Sequence, residues 1–138
     1  MDSLSFLDHT GDIGFEVRAP SIEELFRRAA QGLYGILVER PPATGDATEE
    51  IDLRETEPDL LLRAFLAELL YRFLARRCII AAFDDLRVGD GRLQARGAAA
   101  AFDPKTHGLR TELKAVTYHR LEVRQDGPGW FARVIFDV

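Results

Sequence analysis

Asp8, His9 and Asp12 lie close together in the segment FLDHTGDIGF, residues 6–15, with Thr10, Gly11 and Gly14 interleaved. Phe6, Leu7, Ile13 and Phe15 flank them, so apolar residues anchor a polar, glycine-hinged turn. Asp is a common turn residue because its side chain accepts hydrogen bonds from nearby backbone, and that alone accounts for many such positions. Two carboxylates four apart do not make an EF-hand, which needs acids at alternating positions and a distal Glu. A second oxygen cluster raises the chemical reading: Asp137 and the terminal carboxylate of Val138 offer further hard donors. Oxygen-only donor sets favour calcium, magnesium or manganese over zinc. No spacing in the chain requires the two clusters to meet.

The remaining candidates each have a plain alternative. His9 and His119 suit hydrogen-bonded structural roles as well as ligation, since either ring nitrogen serves both tasks. His107 sits in a loop beside Lys105 and is expected to be solvated. Lys114 is either a snorkelling lysine near Glu112 or a point charge for a phosphate or a partner's acids. Arg72, Arg76 and Arg77 close a helix, where cations favour the dipole, and they are also candidates for a basic docking patch. Cys78 has no partner thiol and an apolar neighbourhood, which makes it a small core residue.

Charge and missing motifs narrow the function classes. The 138 residues carry 18 Lys and Arg against 23 Asp and Glu, a net charge of −5. That argues against strong autonomous nucleic-acid binding, which needs a basic surface. Nucleotide-binding glycine loops, a nucleophile elbow, HExxH and CxxC are all missing. The N-terminus lacks the basic and apolar regions of a signal peptide, and charges interrupt the longest apolar stretch. With one cysteine, the expected setting is the reducing cytoplasm, with no membrane.

The elements that must position these groups read as a single α+β domain over residues 1–138. Strands are expected at 5–7 and 13–18. Ser21 and Glu24 form a capping box, and apolar spacing from Ile22 predicts a helix to about Val38. A short strand is expected at 51–54. A second helix starts at Thr56, Pro58 and Asp59 and runs to about Arg77. It is apolar around most of its circumference, so it should lie between layers. Strands at 79–88 and 92–101 flank the turn GDG at 89–91. A long strand is expected over 110–124, then a turn at 126–129 and a last strand over 130–138. Pairing the last two strands around that turn puts Asp137 opposite Thr117 or Tyr118. Two main helices against, or between, mainly antiparallel sheets is the architecture these elements build.

Three segments together, DHTGDIG at 8–14, ELKAVTYH at 112–119 and VIFDV at 134–138, resemble the archease family over the whole chain. The resemblance implies an accessory factor rather than an enzyme. It implies an RtcB-type RNA ligase as partner, with promotion of ligase guanylylation and multiple turnover in tRNA splicing or RNA repair. It implies a divalent ion, calcium first and magnesium or manganese next, held by Asp12, Asp137 and the terminal Val138. It marks Lys114 as a functional cation, and Asp8, His9 and His119 as matching family positions. Gly11 stands where the family usually has Ala, and Arg120 where Gly often follows T-Y-H. The competing readings are a small metal-dependent phosphoesterase and an adaptor or chaperone with a structural ion.

Overall fold

A computed structural model of the chain describes residues 3–7 and 13–138. Two antiparallel sheets enclose two helices. The larger sheet contains β1 (Leu4–Leu7), β2 (Ile13–Ala19), β6 (Ala115–Val116), β7 (Glu122–Asp126) and β8 (Gly129–Asp137). Its order runs β1-β2-β8, with β6 and β7 pairing at successive positions along the other edge of β8. The smaller sheet has the order β3-β5-β4, from β3 (Ala47–Arg54), β4 (Cys78–Gly89) and β5 (Arg92–Ala101). Between the sheets lie α1 (Ile22–Leu37) and α2 (Pro58–Arg76).

Apolar periodicity explains the layering. Leu25, Phe26, Ala29, Leu33 and Leu37 put one buried face of α1 into the core. Leu61, Leu62, Phe65, Leu66, Leu69, Leu70 and Phe73 give α2 a wider one. Accordingly α2 touches strands of both sheets, as its sequence predicts. Phe15, Val17, Ala132, Val134 and Phe136 supply the larger sheet's inner face. Rings continue through the interior: Phe15 meets Phe136 at 5.7 Å, and Phe65 meets Phe26 at 5.7 Å and Phe83 at 5.4 Å. In the turn between β4 and β5, Asp90 and Gly91 both take positive φ, which matches the right-handed strand twist of a two-residue hairpin. The alanine run 98–101 is strand, paired to β3 on one side and β4 on the other.

Helix side chains cover the open edges of the smaller sheet. Tyr34 Oη accepts the Ile80 N–H at 3.1 Å, Arg27 Nε donates to the Phe83 carbonyl at 3.4 Å, and Glu23 accepts the Val88 N–H at 3.3 Å. These three residues run along α1 beside β4. On the opposite edge Arg72 donates to the Glu50 carbonyl at 2.9 Å and to the Glu49 carboxylate at 2.8 Å. Uncovered strand edges recruit other chains, so these contacts keep the sheet closed to pairing.

Several expectations need correction. The strand expected at 51–54 begins at Ala47, because Arg72 and Arg76 hold Glu49 in place and extend the ladder. These two arginines therefore form no docking patch. Arg77 has a left-handed backbone and lies over the Phe73 and Phe102 rings. Ser21 Oγ accepts the Glu24 N–H at 3.1 Å, but the Glu24 carboxylate turns to Arg28 instead of closing the box. Leu74 and Tyr71 are exposed, while Arg72 is drawn inward. Cys78 is half-buried, and burial pushes its thiol up. His107 is structural, with Nδ1 accepting the Asp103 N–H at 2.9 Å. The largest difference concerns residues 110–124. They form two short strands separated by a turn, with Arg120 at φ 53°.

Two outcomes follow from the edge contacts. Tyr34→Phe leaves the Ile80 N–H buried without an acceptor and should cost about 1–3 kcal/mol, read from the urea midpoint. The hydrogen bond from Arg76, then the charges of Arg76 and Arg72, hold the Glu49 carboxyl below its ordinary value of 4.5. A depressed carboxyl stabilises the fold above that value and loses its contribution as pH falls through the folded value. Glu49→Gln should therefore lower stability at neutral pH and flatten its decline below pH 4.5, as measured by denaturation across pH.

Candidate functional site at one end of the larger sheet

Strand pairing brings three separated segments to one end of the larger sheet. Leu7 pairs with Gly14, and Ile13 pairs with Phe136, so the ends of β1 and β2 lie beside the end of β8. Asp137 pairs with Ala115, and the Lys114 N–H donates to the Asp137 carbonyl at 2.8 Å. Lys114, Asp137 and Val138 are all exposed there. Asp8, His9 and Asp12 lie outside the described residues, in the connection between β1 and β2. Gly14 has a steric reason to be glycine, since a Cβ there would collide with the Val134 carbonyl oxygen.

Asp137 faces Ala115, not Thr117 or Tyr118, because of a bulge. Glu122 pairs with Arg133 and Val116 with Phe136, so residues 117–121 span only positions 134 and 135. Thr117 closes one side of the bulge. Its N–H and its hydroxyl both donate to the Ile135 carbonyl, at 3.0 and 2.8 Å, and its hydroxyl accepts the His119 N–H at 3.1 Å. Arg133 closes the other side, donating from Nε to the Arg120 carbonyl at 3.0 Å. Its two other nitrogens bond Glu16 at 3.3 Å and Glu122 at 3.1 Å. Bulges of this kind re-aim side chains near functional sites. His119 is consequently exposed in a turn and does not share a strand face with Leu121 and Val123. Lys114 likewise shares no regular face with Val116 and Tyr118, since Val116 is buried and the other two are exposed.

Toward the opposite end of β8, the outer face of the larger sheet is a charged lattice over one aromatic ring. Phe131 is only 2% exposed, under the guanidinium groups of Arg124 at 4.4 Å, Arg18 at 4.7 Å and Arg133 at 5.9 Å. Asp126, Glu122 and Glu16 pair with these arginines. Their charges are therefore committed to the fold. At the sheet end the donors are carboxylate oxygens, which suit a hard divalent cation. Among the described residues, Asp137 offers such oxygens at this end. Among the described residues no three His, Cys, Asp or Glu side chains converge on one point.

Sequence reading located the sheet-end segments but missed the bulge and the two side chains that close it, Thr117 and Arg133. The signal was present in the spacing. Leu113 and Val116 are buried three apart, and Leu121 and Val123 resume two apart. Strict alternation therefore fails between 113 and 121, which is incompatible with one continuous strand.

Known proteins place the whole chain. The family model of the Archease protein family matches residues 5–138. The protein archease of Methanosarcina barkeri is 34% identical over 137 residues, covering 96% of this chain and 94% of that one. The protein archease of Pyrococcus furiosus is 30% identical over 138 residues, covering 95% of each. The solution structure of Methanobacterium thermoautotrophicum protein 1598 matches with a TM-score of 0.78 at 27% identity, covering both chains fully. A Thermotoga maritima crystal structure, described as an archease and possible chaperone, shares the fold with a TM-score of 0.62 at 21% identity, covering 97% of this chain and 96% of that one. Three separated segments converging at one sheet end, and matches extending over nearly the full length, lead to one conclusion: the chain belongs to the archease family.

Proposed function

We propose that this chain is an accessory factor for an RtcB-type RNA ligase, and that the end of the larger sheet is its working surface. The observation that carries this reading is the convergence of the ends of β1 and β2, the end of β8 and the Lys114 segment in a member of the archease family. Asp12, Asp137 and the carboxylate of Val138 hold a divalent cation, calcium first and magnesium or manganese next. The register supports this set, because Asp137 follows Phe136, whose partner Ile13 directly follows Asp12 in the sequence. Asp8 and His9 are further candidates in the sequence between β1 and β2, and Lys114 and His119 are exposed and available to a partner. A bound divalent cation supplies positive charge at an otherwise acidic edge.

The chain's task is positioning. In nucleotidyl and phosphoryl transfer, catalysis rests mainly on placing groups and neutralising charge. The backbone of Lys114 is held by the Asp137 carbonyl, and its exposed side chain is free to reach a partner from this end of the sheet. That arrangement fits docking against a ligase active site and promotion of guanylylation and repeated turnover. It calls for no catalytic group on this chain. No helix among the described residues is long and apolar enough to cross a membrane, and we place the factor in the cytoplasm with its ligase.

Two measurements test the reading together. RNA joining is followed with substrate in large excess over an RtcB-type ligase, with GTP and Mn²⁺, adding the wild-type chain, Asp12→Ala, Asp137→Ala or Lys114→Ala. Calorimetry follows Ca²⁺ and Mn²⁺ binding to the same chains. The wild type should convert a single round into many. The two aspartate variants should lose both cation binding and this effect, by at least tenfold in each. Lys114→Ala should keep the cation and lose stimulation. Ligase turnover that is indifferent to the wild-type chain would overturn the accessory reading. Cation binding unchanged in both aspartate variants would overturn the ligand set.

A further inference from the structure

Tyr118 is 65% exposed, at the crest of the bulge over residues 117–121. One face of its ring is occupied, with the Arg63 guanidinium 4.0 Å from the centroid. Arg63 reaches across from α2 and is itself fixed, because its Nε donates to the Val116 carbonyl at 2.9 Å. Despite that contact the side chain stays largely open to solvent. The bulge that carries Tyr118 is pinned on both flanks by Thr117 and Arg133. It also holds a left-handed Arg120, a conformation costly for a residue with a Cβ. A large aromatic side chain held this firmly in water buries little of itself, so core packing does not explain it.

The surrounding charge differs from the rest of the molecule. Most arginines here are paired with carboxylates, including Arg18, Arg72, Arg92 and Arg133. Among the described residues, Arg63, Lys114 and Arg120 make no ion pair. Arg63 bonds a backbone carbonyl and a ring, while Lys114 and Arg120 are exposed. Exposed His119 lies between Tyr118 and Arg120. A chain of net charge −5 thus places Lys114, His119 and Arg120, all exposed, within four residues of Tyr118 in the sequence, with Arg63 against its ring.

We propose that Tyr118, backed by Arg63, is a stacking platform for a single nucleobase, with Arg120, His119 and Lys114 receiving the adjoining phosphate. Bases stack on tyrosine and on guanidinium planes, and the contact tolerates any base because each has a π-face. A cation behind the ring fixes its plane in advance, which removes ordering cost from the bound state. The ligand class is a nucleoside phosphate, supplied either as a single-stranded RNA end or as a free nucleotide. One base and one phosphate make a weak site, in keeping with the chain's overall acidity. This goes beyond the ligase reading, since it assigns a nucleotide contact to the chain itself.

The test uses the full chain without any ligase. Two-dimensional NMR follows the Tyr118 ring and the 117–121 amides during titration with short oligoadenylate and, separately, with AMP. Tyr118→Phe keeps the ring, Tyr118→Ala removes it, and Arg63→Gln removes the backing cation. Saturable shifts confined to the bulge are expected, weakening with salt. Affinity should persist in Tyr118→Phe and fall by at least about fivefold in Tyr118→Ala. Arg63→Gln should weaken binding without unfolding the bulge, as its amide shifts report. Tighter binding of oligoadenylate than of AMP identifies an RNA end as the ligand, and equal affinity identifies the nucleotide. Shifts that are absent at millimolar ligand, or that survive Tyr118→Ala, overturn the platform. Because no ligase is present, none of these results depends on whether the chain stimulates one.

Discussion

Strand β8 constrains the rest of the structure. It is bonded along both edges, to β2 on one side and to β7 and β6 on the other. Both of its faces are also covered. Ala132, Val134 and Phe136 enter the core, while Phe131 and Ile135 are buried on the opposite face. A strand held in four directions has no freedom to slip, because a one-residue shift would send every side chain to the wrong face. The glycine at position 14 is part of the same constraint, since the neighbouring backbone leaves no room for a Cβ. The last residues of β8 thereby gain a fixed position relative to Ile13 and Lys114, although all three are far apart in sequence.

That fixed position makes the surrounding irregularities meaningful. The bulge at 117–121 satisfies its backbone through Thr117 and Arg133 rather than by pairing with a neighbouring strand. Arg133 links the bulge carbonyl, Glu16 on β2 and Glu122 on β7, so one side chain couples three segments. A partly shielded guanidinium with several acceptors is a stronger tie than an isolated surface pair. The small sheet has a different task. Its edges are closed by Tyr34, Arg27, Glu23 and Arg72, and its contribution is burial of the helices. The small sheet and the candidate site are therefore separated within one core.

Much of this was legible in the chain. Helical spacing from Ile22 and from Pro58 gave both helices to within a residue or two, and GDG at 89–91 fixed the hairpin. The near-circumferential apolarity of α2 correctly implied a helix between layers. Failures came where tertiary contacts override local pattern. Glu49 and Glu50 look like a solvated linker until Arg72 and Arg76 arrive from α2 and make them strand. Residues 110–124 look like one strand because Val, Thr and Tyr favour that state, but β8 accepts them only in two pieces. The expected pairing of Asp137 with Thr117 or Tyr118 failed for the same reason, since a bulge is set by the partner strand rather than by local propensity. Of the site residues, Lys114, Asp137 and Val138 are brought together by register, while Asp8, His9 and Asp12 belong to the undescribed connection.

The proposed function turns on a divalent cation at the end of the larger sheet, where β8 meets the ends of β1 and β2 and the Lys114 segment. Paramagnetic broadening by substoichiometric Mn²⁺ in the amide NMR spectrum tests this most directly. The account predicts selective loss of signals from Leu7, Ile13, Lys114, Ala115, Asp137 and Val138, reversed by Ca²⁺, with the β3-β5-β4 sheet unaffected. Broadening centred instead on the acidic residues of the small sheet, or no selective broadening at all, would contradict it.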